Sequence, residues 1–236
     1  MSEDFYHCEL TLRVHVQEAE AIVEAVRISN DLTSGELTQP LSVPESNSSF
    51  RAHYPGTEED PLADFFALFS DREWPIFGAS ASILRRLDDG TADLHICGHD
   101  VEIDSVSQLL FNSACSALPI ELKYHVYAAA GDREPSRSGF VAISKIGRIF
   151  GLSLDRDYGA FGTGYVIAAE TGDDHEPFVF WNSEDGFGDA RSATIFNFEE
   201  VQLHCLPLGA TRWMSLPDEQ ACIPGRAAQP ATAKAI

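Results

Sequence analysis

The sequence predicts an α+β protein, because three observations agree. Residues 9–16 and 120–127 alternate apolar and polar side chains, which is the period of a half-buried strand. Residues 17–30 follow the first of these strands and carry apolar side chains at helical spacing. Residues 80–87 and 91–98 are two further strand-like runs, and the short turn between them ends in glycine, which is typical of a hairpin.

A second helix is expected between the hairpin and the strand at 120–127. Asp104 is expected to act as its N-cap, and the helix should end before Pro119 because the residue preceding a proline disfavours helical geometry. Its apolar face would contain Val106, Leu109, Leu110, Ala114 and Ala117. The first half of the chain therefore reads β-α-(insertion)-β-β-α-β.

This order is the split βαβ arrangement named for ferredoxins. We predict a ferredoxin-like domain over residues 1–130, in which two helices cover one face of a four-stranded antiparallel sheet, with a loop insertion at 31–79. Within the insertion, Asp60 as N-cap and Pro61 at the first helical position predict a short aromatic-faced helix. Residues 131–216 are expected to form a β-rich region that extends or covers the sheet. Residues 217–236 are predicted to be a flexible tail.

The β-rich region contains several strand-like stretches among loops rich in glycine and aspartate. They are residues 139–144, 148–153, 165–169, 177–181 and 201–206. The first two surround Ile146-Gly147 and predict another hairpin.

Composition and charge narrow the function classes. The 236 residues include 37 acids and 16 bases, a net charge of −21. Residues 1–75 account for −11 and residues 151–236 for −8, whereas the middle of the chain is nearly balanced at −2. Such a field repels nucleic acids and membrane surfaces and attracts basic partners. We therefore expect no direct nucleic-acid binding.

The sequence also predicts a cytoplasmic protein whose cysteines are reduced. No stretch approaches the roughly 20 apolar residues of a membrane span, and Met1 to Asp4 carry acids where a signal peptide would carry Lys or Arg. The five cysteines are odd in number and form no CxxC pair. Trp74, Trp181 and Trp213 are expected in the core rather than on a recognition surface.

Two neighbouring stretches carry a resemblance to a group of proteins. Leu118-Pro-Ile-Glu-Leu-Lys-Tyr124, followed by Ser138-Gly-Phe-Val-Ala-Ile143, resembles small ferredoxin-like accessory proteins of plasmids and phages, most of them uncharacterised. Between these stretches the chain has Ala128-Ala-Ala-Gly-Asp132, where that group is acidic and glycine-rich. The resemblance implies an origin in a mobile genetic element and no established chemistry.

Strand alternation places a set of polar side chains on the sheet face away from the helices. They are Glu9, Thr11, Arg13 and His15 from the first strand, Asp93, His95, Cys97 and His99 from the third, and Glu121, Lys123, His125 and Tyr127 from the fourth. We name this surface the open face. The alternative is that the β-rich region lies over it and these side chains are satisfied polar groups of an internal interface.

The open face offers two kinds of chemistry. His95, Cys97 and His99 are soft ligands suited to zinc or copper, and a fourth ligand would come from a neighbour such as His15 or His125. Alternatively, His15, His95 or His125 could serve in acid–base catalysis, with Glu9 or Tyr127 beside the histidine. No cofactor is otherwise predicted.

The function class favoured by the charge is a non-enzymatic interaction protein of a phage or plasmid. It would bind and inhibit a basic, nucleic-acid-handling host defence complex, in the manner of anti-CRISPR or anti-restriction proteins and DNA mimics, because carboxylates can occupy sites meant for phosphates. The candidate contact residues are Glu58, Glu59, Asp60, Asp173, Asp174 and Glu176. Two alternatives remain: a histidine- or metal-dependent enzyme on the open face, and an immunity or antitoxin protein that neutralises one basic toxin.

Overall fold

The computed structural model describes residues 4–34, 48–127, 135–153, 164–172, 177–207 and 211–216. The chain divides into two compact units, Met1–Ile149 and Phe150–Ile236. The predicted flexible tail at 217–236 lies outside the described residues.

The first unit contains most of the helices. Its elements are β1 (Phe5–His15), α1 (Val16–Ser34), α2 (Ser48–His53), α3 (Ala63–Phe66), β2 (Ser80–Arg86), β3 (Thr91–Gly98), α4 (Ile103–Ser113), a 3₁₀ turn (Cys115–Ala117), β4 (Ile120–Tyr127) and β5 (Arg137–Ser144). The strand order is β2-β3-β1-β4-β5, and every neighbouring pair in it is antiparallel. The predicted hairpin of β2 and β3 is confirmed.

The second unit is rich in strands, and the boundary between the units falls within β6 (Gly147–Ser153). Its other elements are β7 (Tyr165–Glu170), β8 (Phe178–Asn182), β9 (Gly186–Gly188), α5 (Phe198–Leu203) and β10 (Thr211–Ser215). The strand order is β6-β10-β7-β8-β9, in which β10 is parallel to β6 and antiparallel to β7. The protein is therefore α+β with mixed strand pairing, which confirms the α+β part of the predicted fold.

The core of the first unit lies between its strands and helices. Leu94, Ile96 and Leu122 point to this side and are at most 1% exposed, together with Ile22 of α1 and Leu109 of α4. A cluster of aromatic rings extends this core. It contains Phe50, Tyr54, Phe65, Phe69 and Phe77.

Three predictions about helix boundaries were wrong in part. The insertion begins later than predicted, because α1 continues to Ser34, and it holds the unpredicted helix α2 in addition to the predicted short helix, α3. Leu62, not Asp60, is the N-cap of α3. Asp60 instead closes a turn, since its Oδ1 accepts a hydrogen bond from the Leu62 amide at 3.3 Å. Glu102, not Asp104, occupies the N-cap of α4, and Asp104 lies in the first turn.

The strand predicted at 201–206 was also wrong, because α5 occupies the first half of that stretch and no strand follows in its second half. The helix begins with a capping box, in which the Asn197 side chain accepts a hydrogen bond from the Glu200 amide at 2.9 Å and the Glu200 carboxylate accepts one from the Asn197 amide at 2.8 Å. Both bonds satisfy backbone donors that the first turn of a helix leaves unpaired. This local chemistry overrides the alternating pattern.

Candidate functional site

The open face of the first unit contains exposed and half-buried side chains, since Asp93, His95 and Cys97 of β3 are half-buried. Glu9, Thr11, Arg13 and His15 of β1 are all exposed, whereas the intervening Val14 is 1% exposed. The strand register sets these side chains in rows across β1 and β3, pairing Glu9 with Cys97, Thr11 with His95, and Arg13 with Asp93.

One row of the open face is an ion network centred on Asp93. Its Oδ1 accepts a hydrogen bond from Nε of Arg13 at 3.0 Å, and its Oδ2 accepts hydrogen bonds from Nε and Nη2 of Arg85 at 3.1 and 2.8 Å. Hydrogen bonds from Arg85, and then from Arg13, hold the pKa of the Asp93 carboxyl below its ordinary value. Both oxygens of the Asp93 carboxylate accept hydrogen bonds from arginines of the same unit, so this row offers no free carboxylate to a partner.

Substituting Arg85 with glutamine is expected to raise the pKa of Asp93, because the largest stabilising contact of its ionised form is lost. Carboxyl-resolved NMR titration measures this directly. The matched control is Arg86→Gln, whose guanidinium binds Glu20 instead at 2.7 Å and holds the pKa of that carboxyl low. The control should raise the pKa of Glu20 and leave Asp93 unchanged. An unaltered Asp93 titration in the Arg85 variant would contradict the ion network.

The histidines proposed for catalysis do not converge on one point. His95 Nδ1 lies 3.2 Å from the Thr11 hydroxyl, and its Nε2 lies 3.9 Å from Glu9. His125 Nδ1 lies 2.7 Å from the hydroxyl of Ser138, two strands away from His95. His15 is six residues from Glu9 along β1, roughly 20 Å at the rise of an extended strand. The structure therefore brings His95, but not His15, close to Glu9.

A histidine that sequence reasoning missed lies beside this group. The ring of His7 stacks on that of His99, with centroids 4.6 Å apart and planes inclined by 24°. His7 also lies opposite His125 in the strand register. Its Nδ1 is buried and has no hydrogen-bond partner among the described residues. The missing signal was the extent of β1, which begins at Phe5 rather than at the predicted residue 9.

The proposed metal ligands are separated by their neighbours. Cys97 Sγ lies 3.4 Å from the Ser80 hydroxyl, His95 contacts Thr11, and His99 is occupied by the stack with His7. Within the described ranges, no three His, Cys, Asp or Glu side chains are grouped so that they could hold a metal ion. The geometry thus gives the metal hypothesis no support.

The second candidate surface is residues 48–79, which we name the acidic segment because it holds six acids and two bases. Glu58 and Glu59 are exposed, and their carboxylates make no hydrogen bond or ion pair within the described part of the chain. Asp60 is half-buried and bonded within its turn, so it is less available than predicted. The other predicted contact acids, Asp173, Asp174 and Glu176, lie outside the described residues.

A cleft of about 390 Å³ lies against this segment. It is lined by Phe50, Arg51, Tyr54, Pro55, Gly56, Thr57, Glu58 and Pro61. Gly56 has a φ of +62°, and a Cβ at this position would approach the Pro61 carbonyl oxygen to 2.4 Å, so the loop that carries Glu58 requires glycine there. Beneath the cleft, the hydroxyls of Tyr54 and Ser113 are hydrogen-bonded, and burial raises the pKa of Tyr54.

The prediction that all three tryptophans lie in the core was wrong for Trp74. It is 65% exposed, whereas Trp213 is 1% exposed and Trp181 is half-buried. Trp74 stands in the acidic segment directly after Glu73. The acidic segment therefore carries both unpaired carboxylates and a large exposed aromatic ring.

Comparison with known proteins gives no match: no family model, no curated protein and no solved structure matches this chain. Among the helices that the structure describes, none is long and apolar enough to cross a membrane.

Proposed function

We propose that this protein is a cytoplasmic, non-enzymatic interaction protein whose acidic segment binds a basic partner. In this proposal the partner is a nucleic-acid-handling defence complex of the host, and the protein, from a phage or plasmid, inhibits it. The observation that carries the proposal is the imbalance between free carboxylates and committed cations on the described surface. Exposed carboxylates at Glu58, Glu59 and Glu73 have no described partner.

The cations of the described surface are largely committed to neighbouring carboxylates. Eight of them form ion pairs: Arg13, Arg27, Arg85, Arg86, Lys123, Arg137, Arg148 and Arg212. Their charge is locally neutralised, whereas Arg51 and Arg72 of the acidic segment form no ion pair within the described ranges. The six acids of that segment still outnumber these two bases, so its field remains negative. Such a field favours association with Lys- and Arg-rich surfaces and disfavours phosphate backbones.

We also propose that the first unit has the ferredoxin-like topology. The order β2-β3-β1-β4 with antiparallel pairing places β1 and β3 at the centre and β4 beside β1, as that arrangement requires. The helices α1 and α4 connect the strands in the expected places. The strand β5 would then be an addition at the β4 edge. This topology supports the resemblance to accessory proteins of mobile elements.

A second candidate function is favoured by one observation on the open face. His125 is within hydrogen-bond distance of Ser138, and His7 opposite it keeps a buried, unpaired Nδ1. A histidine beside a hydroxyl is the minimal arrangement for activating a nucleophile. The described residues place no carboxylate against His125 to orient it, so we rank an enzyme second.

Reversing Glu58 and Glu59 to lysine is expected to reduce recovery of the partner from host lysate about fivefold at low salt, since exposed ion pairs contribute roughly 0.5 kcal/mol each. Both substitutions change exposed side chains only, so the circular dichroism of the variant should match that of the wild type.

The matched control reverses Asp88 and Glu184, which are also exposed acids without a described side-chain partner. It changes the net charge by the same amount at other places on the surface. Equal losses in both variants would mean that bulk charge, and not the acidic segment, determines binding, which would overturn the proposed site.

A further inference from the structure

Trp74 is the large aromatic side chain that the described surface exposes most. Its exposed fraction of 65% compares with 45% for Phe150 and 39% for Phe187. An indole left in water forgoes a large hydrophobic gain, and tryptophan is the residue most enriched among the energetic anchors of protein interfaces. The exposure of Trp74 therefore favours a role in binding a partner.

The turn that presents Trp74 is held by its own hydrogen bonds. The Asp71 carboxylate accepts one from the Glu73 amide at 2.9 Å, and the Asp71 carbonyl accepts one from the Trp74 amide at 3.3 Å. The Ile76 amide then donates to the Trp74 carbonyl at 2.8 Å. The indole is thus displayed on an ordered backbone, which lowers the entropic cost of binding.

The residues that follow fasten this turn to the core. Pro75 is buried, and its carbonyl accepts a hydrogen bond from the buried hydroxyl of Ser29 in α1. The rings of Phe69 and Phe77 lie on either side of the turn in sequence, 7% and 0% exposed, with centroids 4.7 Å apart. The turn that exposes Trp74 is therefore held both by its own hydrogen bonds and by the contacts of its neighbours with the core.

The charges around Trp74 select the kind of partner. Asp71 and Glu73 are exposed and flank the turn, and the Glu73 carboxylate has no partner among the described residues. The neighbouring cation, Arg72, donates a hydrogen bond from its guanidinium to the Ala63 carbonyl at 3.3 Å. An aromatic ring next in sequence to a free carboxylate suits a guanidinium, which can stack on indole and donate hydrogen bonds to a carboxylate.

We propose that Trp74 is the main contact residue of the acidic segment and that the partner contacts it with an arginine side chain. The inference rests on the proposed function and specifies it: the acids attract a basic surface, and Trp74 distinguishes arginine from lysine within that surface. Lysine satisfies the charge equally but lacks the planar group that stacks on the ring.

Fluorescently labelled octa-arginine and octa-lysine peptides test this with the full chain, by anisotropy at low salt. The wild-type protein is expected to bind octa-arginine about fivefold more tightly, the equivalent of about 1 kcal/mol for an exposed cation–π contact. Trp74→Ala should abolish this preference while retaining binding of octa-lysine. The matched control is Leu84→Ala, which removes a 61% exposed side chain from β2 and should retain the preference.

The remaining outcomes contradict the inference. No arginine preference in the wild type, the same preference in Trp74→Ala, or an equal weakening of both peptides in that variant would each show that Trp74 does not read the guanidinium. These failures leave the proposed function intact, because that function is judged separately by the reversal of Glu58 and Glu59.

Discussion

Replacing Phe65 with alanine is expected to lower the free energy of unfolding by about 3–5 kcal/mol, as for other fully buried phenylalanines. Phe65 is 0% exposed and lies at the centre of the aromatic cluster, within 5.2 to 6.4 Å of the rings of Phe50, Tyr54, Phe69 and Phe77. Its helix, α3, has only four residues, too few to be stable without packing. The cavity would therefore loosen the support of the acidic segment.

Denaturant unfolding followed by circular dichroism measures this loss. Phe187→Ala is the control, because that ring is 39% exposed and its removal should cost much less. Similar midpoints for the two variants would contradict the central role of Phe65. The Phe65 variant should also weaken partner binding, since the turn of Trp74 is fastened to the same cluster through Phe69 and Phe77.

Stability is expected to fall as the pH rises from 9 to 11, with Cys8 as a main cause. Cys8 is 1% exposed, and burial, followed by the nearby Cys97 thiol, raises its pKa from 9.0 to about 11. The folded pKa exceeds the unfolded one, so the contribution of Cys8 is fully present below pH 9 and is lost as the pH rises through about 11. A shift of this size corresponds to about 3 kcal/mol.

Cys8→Ala isolates this contribution. The variant has a lower stability at neutral pH because it leaves a small cavity, but its free energy of unfolding should fall less steeply between pH 9 and 11 than that of the wild type. Cys115→Ala, which changes an exposed thiol, should retain the wild-type slope. If the free energy of unfolding fell equally steeply between pH 9 and 11 in Cys8→Ala and in the wild type, the buried thiol would not be the cause of the loss of stability at high pH.

The sequence predicted those parts of the fold that depend on local periodicity. The alternation of β1 and β4 and the turn between β2 and β3 are properties of a few consecutive residues, so they could be read directly. The helix α2 has six residues and no periodic pattern, and β10 is defined by pairing with two strands distant in sequence. Such elements depend on tertiary contacts that the local pattern does not encode.

At two further places where the structure differs from the prediction, the neighbouring residues already indicated the observed structure. Asn197 and Glu200 have the spacing of a capping box, a signal that the prediction of a strand at 201–206 left out. Trp74 was assigned to the core on residue type alone, whereas the acids Asp71 and Glu73 that precede it indicate an exposed turn. Both errors came from weighting a residue pattern above its immediate neighbours.

The candidate site was less predictable than the fold. Alternation identified the exposed set on the open face, but the ion pairing of Asp93 and the stack of His7 on His99 depend on side-chain geometry across strands. The acids Glu58 and Glu59 were identified as exposed, and the structure adds that they are unpaired within its described ranges. The exposed ring of Trp74 in the same segment became evident only from the structure.

A pull-down of the wild-type protein from host lysate at low salt and at ~0.5 M salt tests whether its acidic surface binds a basic partner, because surface electrostatics are strongly screened at the higher concentration. We expect a basic, nucleic-acid-handling complex to be recovered at low salt and lost at high salt. Recovery of no such complex, or recovery that is insensitive to salt, would contradict the binding role of the acidic segment.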